Sequence, residues 1–194
     1  MTIFEQQEVL KSFEILCDSR EQDTERARKR YASFGVPYKN KVTLSYGDYA
    51  YNATLPDGSR IYDDSKTIEP VCVIERKMDL CELASCFTHS RSRFQREFER
   101  AADNGCRIYL ICENANWENL MNGKYRSKFN PNAFTASSVA WMVRYNLNLI
   151  FCKEETSGRL IKEILYRDLK ERLKRGEFDN GMELQPEGIY KSIS

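Results

Sequence analysis

Two short apolar runs separated by a helical stretch constrain the fold of this chain more than any other feature. Residues 69–75, EPVCVIE, and residues 106–114, CRIYLICEN, are apolar along their centres, and residues 79–104 between them carry apolar side chains at helical spacing. Strands without polar alternation are buried on both faces, and strand–helix–strand order is typical of α/β proteins. We therefore predict an α/β sandwich.

The remaining segments extend this alternation. Further strands are predicted in residues 13–17, in 41–55 with a break at Gly47, and in 146–152, and further helices in 22–34, 135–146 and 156–174. Residues 56–60, PDGSR, indicate a tight hairpin-type turn. We divide the chain into a core over residues 1–153, a C-terminal helix over 154–175 that packs on the core or on a dimer partner, and a loose tail over 176–194.

Composition limits the partners and the compartment. The 194 residues include 30% charged side chains but carry a net charge of only +1, so binding to nucleic acid would need a local basic patch. The seven cysteines form no CxxC pair and the chain has one histidine, which argues against zinc and for reduced, buried thiols. Neither a signal peptide nor a membrane-length apolar run is visible. We expect a protein of the cytoplasm, bacterial or phage-like, or of the nucleus, and not a secreted one.

Acidic residues stand at the ends of three predicted strands. Glu75, Arg76 and Lys77 close the run VCVIERK, Asp18 follows EILC, and Asp48 follows Gly47 in LSYGDY. Because side chains alternate along a strand, Glu75 and Lys77 share one face and Arg76 takes the other. If these strand ends converge, the carboxylates suit Mg²⁺ or Mn²⁺, and Lys77 would orient a water molecule or screen developing charge. A salt-bridged strand end without chemistry is the structural alternative.

The motifs CDSRE, GDY and ERK, in this order, resemble the XPF branch of the PD-(D/E)XK restriction-endonuclease-like superfamily, the structure-specific nucleases of excision repair and fork processing. The resemblance implies a restriction-endonuclease-like central mixed sheet flanked by helices. It also implies that Asp48 and Glu75 are metal ligands, with the backbone carbonyl of Arg76 as a third, that Lys77 is the catalytic lysine, and that Asp18 is an additional acid near the metal.

The same resemblance supplies candidates for substrate contacts. Arg20 and Glu21 would support the site, and residues 90–101, SRSRFQREFERA, are similar to the basic helix that follows the ERK motif in the family. Arg20, Arg91 and Arg93 are the candidate substrate-binding residues. A solvated helix face is the alternative for the arginines of this helix.

The sequence also departs from the family pattern. The family commonly has an aspartate four residues after the motif lysine, where this chain has Cys81, and either Asp79 or Glu82 could take that role. We expect no tandem helix-hairpin-helix domain in this chain, so substrate range does not carry over. The stretch KYRSKF, residues 124–129, interleaves cations with aromatic rings, as loops that grip nucleic acid do, although an ordinary surface loop explains it too.

Three functional hypotheses follow. The first is a Mg²⁺- or Mn²⁺-dependent DNA endonuclease that hydrolyses phosphodiester bonds at branched or flapped junctions in DNA repair or recombination. The second is a catalytically silent DNA-binding subunit of an XPF-like complex, and the third an unrelated α/β protein. Asp48, Glu75 and Lys77 are all present, which favours the enzyme. The expected partners are DNA and a second copy of the chain as a homodimer, and a separate targeting protein is a further candidate.

Overall fold

The computed structural model describes residues 1–179, which form a mixed sheet of six strands covered by helices. The strands are β1 (Glu14–Asp18), β2 (Tyr38–Val42), β3 (Tyr49–Asn52), β4 (Cys72–Lys77), β5 (Arg107–Glu113) and β6 (Asn148–Cys152). Their order across the sheet is β2-β1-β3-β4-β5-β6. Strand β3 is antiparallel to both of its neighbours, and the other adjacent pairs are parallel. The predicted α/β fold with a central mixed sheet is confirmed.

The helices form one layer on each face of the sheet. They are α1 (Ile3–Lys11), α2 (Glu25–Ala32), α3 (Leu80–Phe87), α4 (Arg91–Asp103), α5 (Trp117–Met121), α6 (Pro131–Tyr145) and α7 (Glu154–Lys174). Helices α3 to α6 pack on one face, and α1, α2 and α7 pack on the other. Within β4, Val73 packs toward the first layer while Cys72 and Ile74 pack toward the second, as the alternation of side chains along a strand requires. No helix within residues 1–179 is long and apolar enough to cross a membrane.

The predicted helical region between β4 and β5 consists of two helices. Helix α3 ends before Thr88 and α4 starts after Ser90, so the apolar side chains at helical spacing belong to two separate elements. Helices α1 and α5 are additional to the predicted elements. Helix α5 has five residues, too few to show a period, and Ile3 and Phe4 of α1 are exposed, which weakens its amphipathic signal.

Helix α7 packs on the sheet, which is one of the two positions predicted for it. Its buried apolar residues are Ile161, Leu165, Leu169 and Leu173. The dimer contact remains a prediction, and most of the predicted tail, residues 180–194, lies outside the described residues. All seven cysteines are free, and five of them are buried, as expected for reduced thiols in a core.

The turn before β3 brings three strand ends together. Gly47 has φ +72°, and a Cβ atom there would collide with the Val73 side chain and lie 3.2 Å from the carbonyl oxygen of Ile74. Next along the chain, the Asp48 N–H donates to the Ile74 carbonyl at 2.8 Å, and the Asp48 carbonyl accepts from the Asp18 N–H at 2.9 Å. The start of β3 is thereby fixed between the ends of β1 and β4.

Candidate active site

A small polar cleft opens at the edge of the sheet where β1 and β4 end and the antiparallel β3 begins. Its volume is about 150 Å³, and it is lined by Arg20, Glu21, Asp48, Glu75, Arg76, Lys77, Glu82, Arg93 and Glu97. Most of the residues predicted from the three motifs therefore meet in one place. Asp18 and Arg91 are the two predicted site residues that do not line the cleft.

Glu75 and Lys77 form a buried ion pair on the cleft side of β4. The two side chains lie on the same face of the strand, and the Lys77 ammonium contacts the Glu75 carboxylate and lies 4.4 Å from the centre of the Phe94 ring. Glu75 is 3% exposed and Lys77 5%. Burial and the neighbouring Asp48 carboxylate raise the pKa of Glu75 to about 8 against the opposing effect of Lys77.

The pKa of Lys77 is also raised. Burial acts to lower this pKa, but the carboxylates of Glu75 and Asp48 outweigh it. The Asp48 carboxylate contributes to both shifts: it raises the pKa of Glu75 by repulsion and that of Lys77 by attraction. Lys77 is therefore a protonated cation at neutral pH.

Asp48 presents one carboxylate oxygen to the protein and one to the cleft. Its Oδ2 accepts a hydrogen bond of 2.7 Å from the backbone N–H of Arg76, in the middle of the ERK motif. Within residues 1–179 no hydrogen bond reaches Asp48 Oδ1 or Glu75 Oε2. Both carboxylates therefore keep an oxygen available for a ligand in the cleft.

Glu97 of α4 is a cleft acid that the sequence analysis did not single out. It is 4% exposed, its Oε1 accepts from the Gly47 N–H at 3.2 Å, and the same oxygen lies 3.7 Å from Arg20 Nη1. A signal was present, because Glu97 stands three residues after Phe94 and beside Phe98, on the apolar face of a predicted helix. A charged residue on such a face is buried only with a specific partner.

Asp18 lies behind the cleft, with both carboxylate oxygens in use. Oδ1 accepts from the backbone N–H of Arg20 at 2.8 Å and from its Nε at 2.6 Å, and Oδ2 accepts from the Leu44 N–H at 2.9 Å. These bonds hold Arg20 at the cleft wall. The predicted role of Asp18 as a metal ligand stays a prediction, and its hydrogen bonds favour a supporting role instead.

Arg76 reaches toward the other face of the sheet, as the alternation predicted. Its guanidinium contacts Glu113 at the end of β5 at 3.2 Å and Glu21 at 3.6 Å. Arg30 of α2 joins both acids, at 3.3 Å from Glu113 and 3.0 Å from Glu21, and also donates to the Tyr49 hydroxyl at 3.0 Å. The motif arginine is thus part of a buried charge network.

The remaining candidates divide between the cleft and the surface. Arg93 lines the cleft and lies over the Phe94 ring. Arg91, the first residue of α4, is exposed and does not line the cleft. Asp79 caps α3 by accepting from the Glu82 N–H, and Glu82 accepts from the Met78 N–H at 2.6 Å while lining the cleft. Of the two acids that could replace the family aspartate, only Glu82 faces the cleft.

The donor set suits a hard divalent cation. Carboxylate oxygens of Asp48 and Glu75 face the cleft, which lacks histidine and cysteine among its lining residues. In residues 1–179 no three His, Cys, Asp or Glu side chains are arranged as a complete metal cage. Mg²⁺ is usually held by one or two carboxylates together with water and substrate phosphates, so two free carboxylate oxygens fit this ion.

A six-stranded mixed sheet with helices on both faces and an acid–lysine cleft at its edge defines a restriction-endonuclease-like fold. Residues 17–164 match the ERCC4 domain. The chain therefore belongs to the ERCC4 domain family, which contains the XPF-type nucleases that the three motifs resemble.

Solved structures agree on the fold. XPF from Aeropyrum pernix is similar with a TM-score of 0.53 and 18% sequence identity, over 88% of this chain and 76% of that one. XPF from Aeropyrum pernix in complex with DNA gives a TM-score of 0.54 with the same identity and coverage. No curated protein sequence matches the chain. No tandem helix-hairpin-helix unit accompanies the sheet and its helices within residues 1–179.

Proposed function

We propose that this chain is a DNA endonuclease that depends on Mg²⁺ or Mn²⁺ and hydrolyses phosphodiester bonds at branched or flapped junctions in DNA repair or recombination. The observation that carries the proposal is the meeting of Asp48, Glu75 and Lys77 in one cleft, with an unshared oxygen on each carboxylate. Membership of the ERCC4 domain family supports the reaction class. The family motifs alone support the junction preference.

Each cleft residue has a role that follows from its charge. Lys77 is protonated, so it cannot accept a proton from water, and it serves to hold a scissile phosphate or stabilise the charge that develops there. Arg20 and Arg93, which both line the cleft, supply further positive charge for the phosphate backbone. Glu75 and Asp48 would hold the cation, with the Arg76 carbonyl as a candidate third ligand.

A divalent cation held by Asp48 and Glu75 would supply two kinds of chemistry, polarisation of a phosphoryl oxygen and a lowered pKa of a bound water molecule. The protein contributes the site for it. A cation beside Glu75 favours the ionised carboxylate, which offsets the raised pKa of this residue in the free protein. Asp48 is held for this purpose by the Arg76 N–H, and Glu75 by Lys77.

The test is cleavage of a labelled panel of single-stranded, duplex, flap, splayed-arm and three-way DNA with Mg²⁺, Mn²⁺ or EDTA. Asp48→Asn is the informative variant, because the amide oxygen still accepts from the Arg76 N–H while the charge is lost. Asp57→Asn, in an exposed turn, is its matched control. We expect Asp48→Asn to cut at least about 100-fold more slowly with unchanged DNA binding, and Asp57→Asn to match the parent protein.

The panel also separates the alternatives. Binding without cutting by the parent protein in either metal would favour the catalytically silent subunit, with Glu75 and Lys77 as a structural ion pair. Equal cutting by the parent protein and Asp48→Asn would overturn the assignment of the cleft. The proposal includes a homodimer. Light scattering coupled to size-exclusion chromatography measures the molar mass of the protein in solution and so tests it.

A further inference from the structure

The segment that joins α5 to α6 carries three exposed cations outside the cleft. Lys124, Arg126 and Lys128 are exposed and alternate with the half-buried Tyr125, Ser127 and Phe129. Within residues 1–179 none of the three cations forms an ion pair with a carboxylate. We call residues 124–129 the basic segment. The chain as a whole has a net charge of only +1, so three cations within five residues form a local positive patch that attracts anions.

The aromatic residues of this segment are anchors and not stacking surfaces for bases. The Tyr125 and Phe129 rings pack edge-on and tilted against Phe134 of α6, with centroids 5.4 and 5.3 Å away, and Phe129 also stacks on Phe87 of α3 at 6.4 Å. The Tyr125 hydroxyl donates to the Phe129 carbonyl at 2.7 Å. The rings face the core, so the outward side of the segment consists of the cations.

The backbone at the start of the segment is also held. The Lys124 N–H donates to the Asn119 carbonyl at 2.8 Å, which ties the segment to the end of α5. Gly123 provides the left-handed conformation, with φ +66°, that this turn needs. A cationic surface that is already ordered loses less conformational entropy when it binds than a loose loop does.

The segment lies on the same face of the sheet as α3 and α4, and it contacts α3, the helix that follows the cleft strand β4. Phe87, on which Phe129 stacks, belongs to α3, and α3 begins three residues after Lys77. Tyr125 and Phe129 both pack against the apolar core that α3, α4 and α6 share. Helix α3 therefore contacts the basic segment through Phe87 and also packs against α4.

We propose that the basic segment binds the phosphate backbone of the DNA next to the cleft, through Lys124, Arg126 and Lys128 and without contacts to bases. This inference rests on the proposed function, because it assigns the segment to the same DNA that enters the cleft. The contacts lengthen the bound stretch of DNA beyond the cleavage position. Because every DNA sequence has the same phosphate backbone, these contacts strengthen the binding of all sequences equally.

The experiment measures DNA binding as a function of salt, in EDTA so that no cleavage occurs. Fluorescence anisotropy with a labelled duplex and a labelled flap gives Kd at KCl concentrations from about 50 to 200 mM. Over this range each phosphate contact on duplex DNA contributes roughly 0.9 to the slope of the logarithm of the association constant against the logarithm of the salt concentration. The test variant is Lys124→Ala/Arg126→Ala/Lys128→Ala. The control is Lys11→Ala/Lys170→Ala/Lys174→Ala, which removes the same charge from the groove between α1 and α7 on the opposite face.

The logarithm of the association constant falls as salt rises, and we expect this slope to become less negative by about 2 to 3 in the test variant. We also expect its Kd at 100 mM KCl to rise by about tenfold or more. The control variant should keep the slope of the parent protein, and circular dichroism should show that both variants are folded. A test variant with the slope of the control would overturn the inference.

Cleavage, assayed separately with metal, distinguishes the two proposals. If the parent protein does not cut DNA but the slope becomes less negative only in the test variant, the basic segment binds phosphate and the nuclease assignment fails. If the parent protein cuts DNA and both variants keep its slope, the nuclease assignment holds and the basic segment is an ordinary surface loop.

Discussion

Four carboxylates surround the start of β3, and they differ in how many of their oxygens the protein already uses. Asp18 has both oxygens bonded by N–H groups, whereas Asp48, Glu75 and Glu97 each have one bonded oxygen. An acid whose oxygens are satisfied by the protein gains little from a cation. These bonds favour a role for Asp18 in supporting the turn, whereas the other three each keep an oxygen free of hydrogen bonds from the part of the chain that the structure describes.

Glu97 should act mainly by fixing the backbone of Gly47, next to Asp48. Glu97→Gln keeps an oxygen acceptor for the Gly47 N–H and removes one of several crowded negative charges. Glu97→Ala leaves a buried N–H without a partner, for which we expect a loss of about 1–3 kcal/mol in the free energy of unfolding. We expect Glu97→Gln to be as stable as the parent protein or more so.

Urea denaturation in EDTA measures both Glu97 variants. Equal losses of stability for Glu97→Gln and Glu97→Ala would contradict the hydrogen-bond explanation and assign the effect to the charge.

At the scale of single elements, the turn before β3 determines where Asp48 stands. Gly47→Ala places a methyl group against Val73 in a backbone conformation that alanine disfavours. The left-handed conformation costs about 1–2 kcal/mol and the collision about 1–3 kcal/mol more. Gly58→Ala is the matched control, because Gly58 has φ +86° but no atom within 4 Å of the added methyl group.

Thermal and urea denaturation of the two glycine variants should therefore show a larger loss in the free energy of unfolding for Gly47→Ala. Gly58→Ala should lose only the cost of the left-handed backbone conformation. Similar losses would mean that β3 and β4 separate easily at this point, and that the turn does not hold Asp48 rigidly.

The elements that could be predicted from sequence are those with a clear period or a complete motif. Strands β4 and β5 are apolar runs, α7 has a broad apolar stripe, and the alternation along β4 correctly separated Arg76 from Glu75 and Lys77. What the sequence concealed depends on contacts between distant segments. The partner of Glu97 is a backbone N–H fifty residues away, and the Leu44 N–H that occupies Asp18 lies in an irregular stretch.

At the scale of the whole molecule, a buried charge network joins the two sides of the cleft to the α2 layer. Arg30, 3% exposed at its side chain, links α2 to Glu21 after β1, to Tyr49 of β3 and to Glu113 of β5. Through Glu21 and Glu113 it also supports Arg76. Four segments that are far apart in the chain therefore depend on one guanidinium group.

Arg30→Met should consequently leave buried acids without sufficient counter-charge, which costs about 3–5 kcal/mol in the free energy of unfolding. Arg28→Met on the same helix is the matched control, because Arg28 pairs with the exposed Asp23 and such pairs contribute at most about 1 kcal/mol. Chemical denaturation of both variants measures the difference. A loss below about 1 kcal/mol for Arg30→Met would show that Arg76 alone neutralises Glu21 and Glu113.

The alternation along β4 has a consequence for how such a site can change over generations. In the pairing with β5, Glu75, Arg76 and Lys77 lie opposite Leu110, Ile111 and Cys112. Inserting or deleting one residue within β4 would exchange the faces, moving the Arg76 side chain to the face that Glu75 and Lys77 now occupy and Glu75 toward the acids that now neutralise Arg76. Descendants of this chain can therefore vary these residues by substitution and vary the loops in length, but a one-residue change of length within the strand would not keep the site.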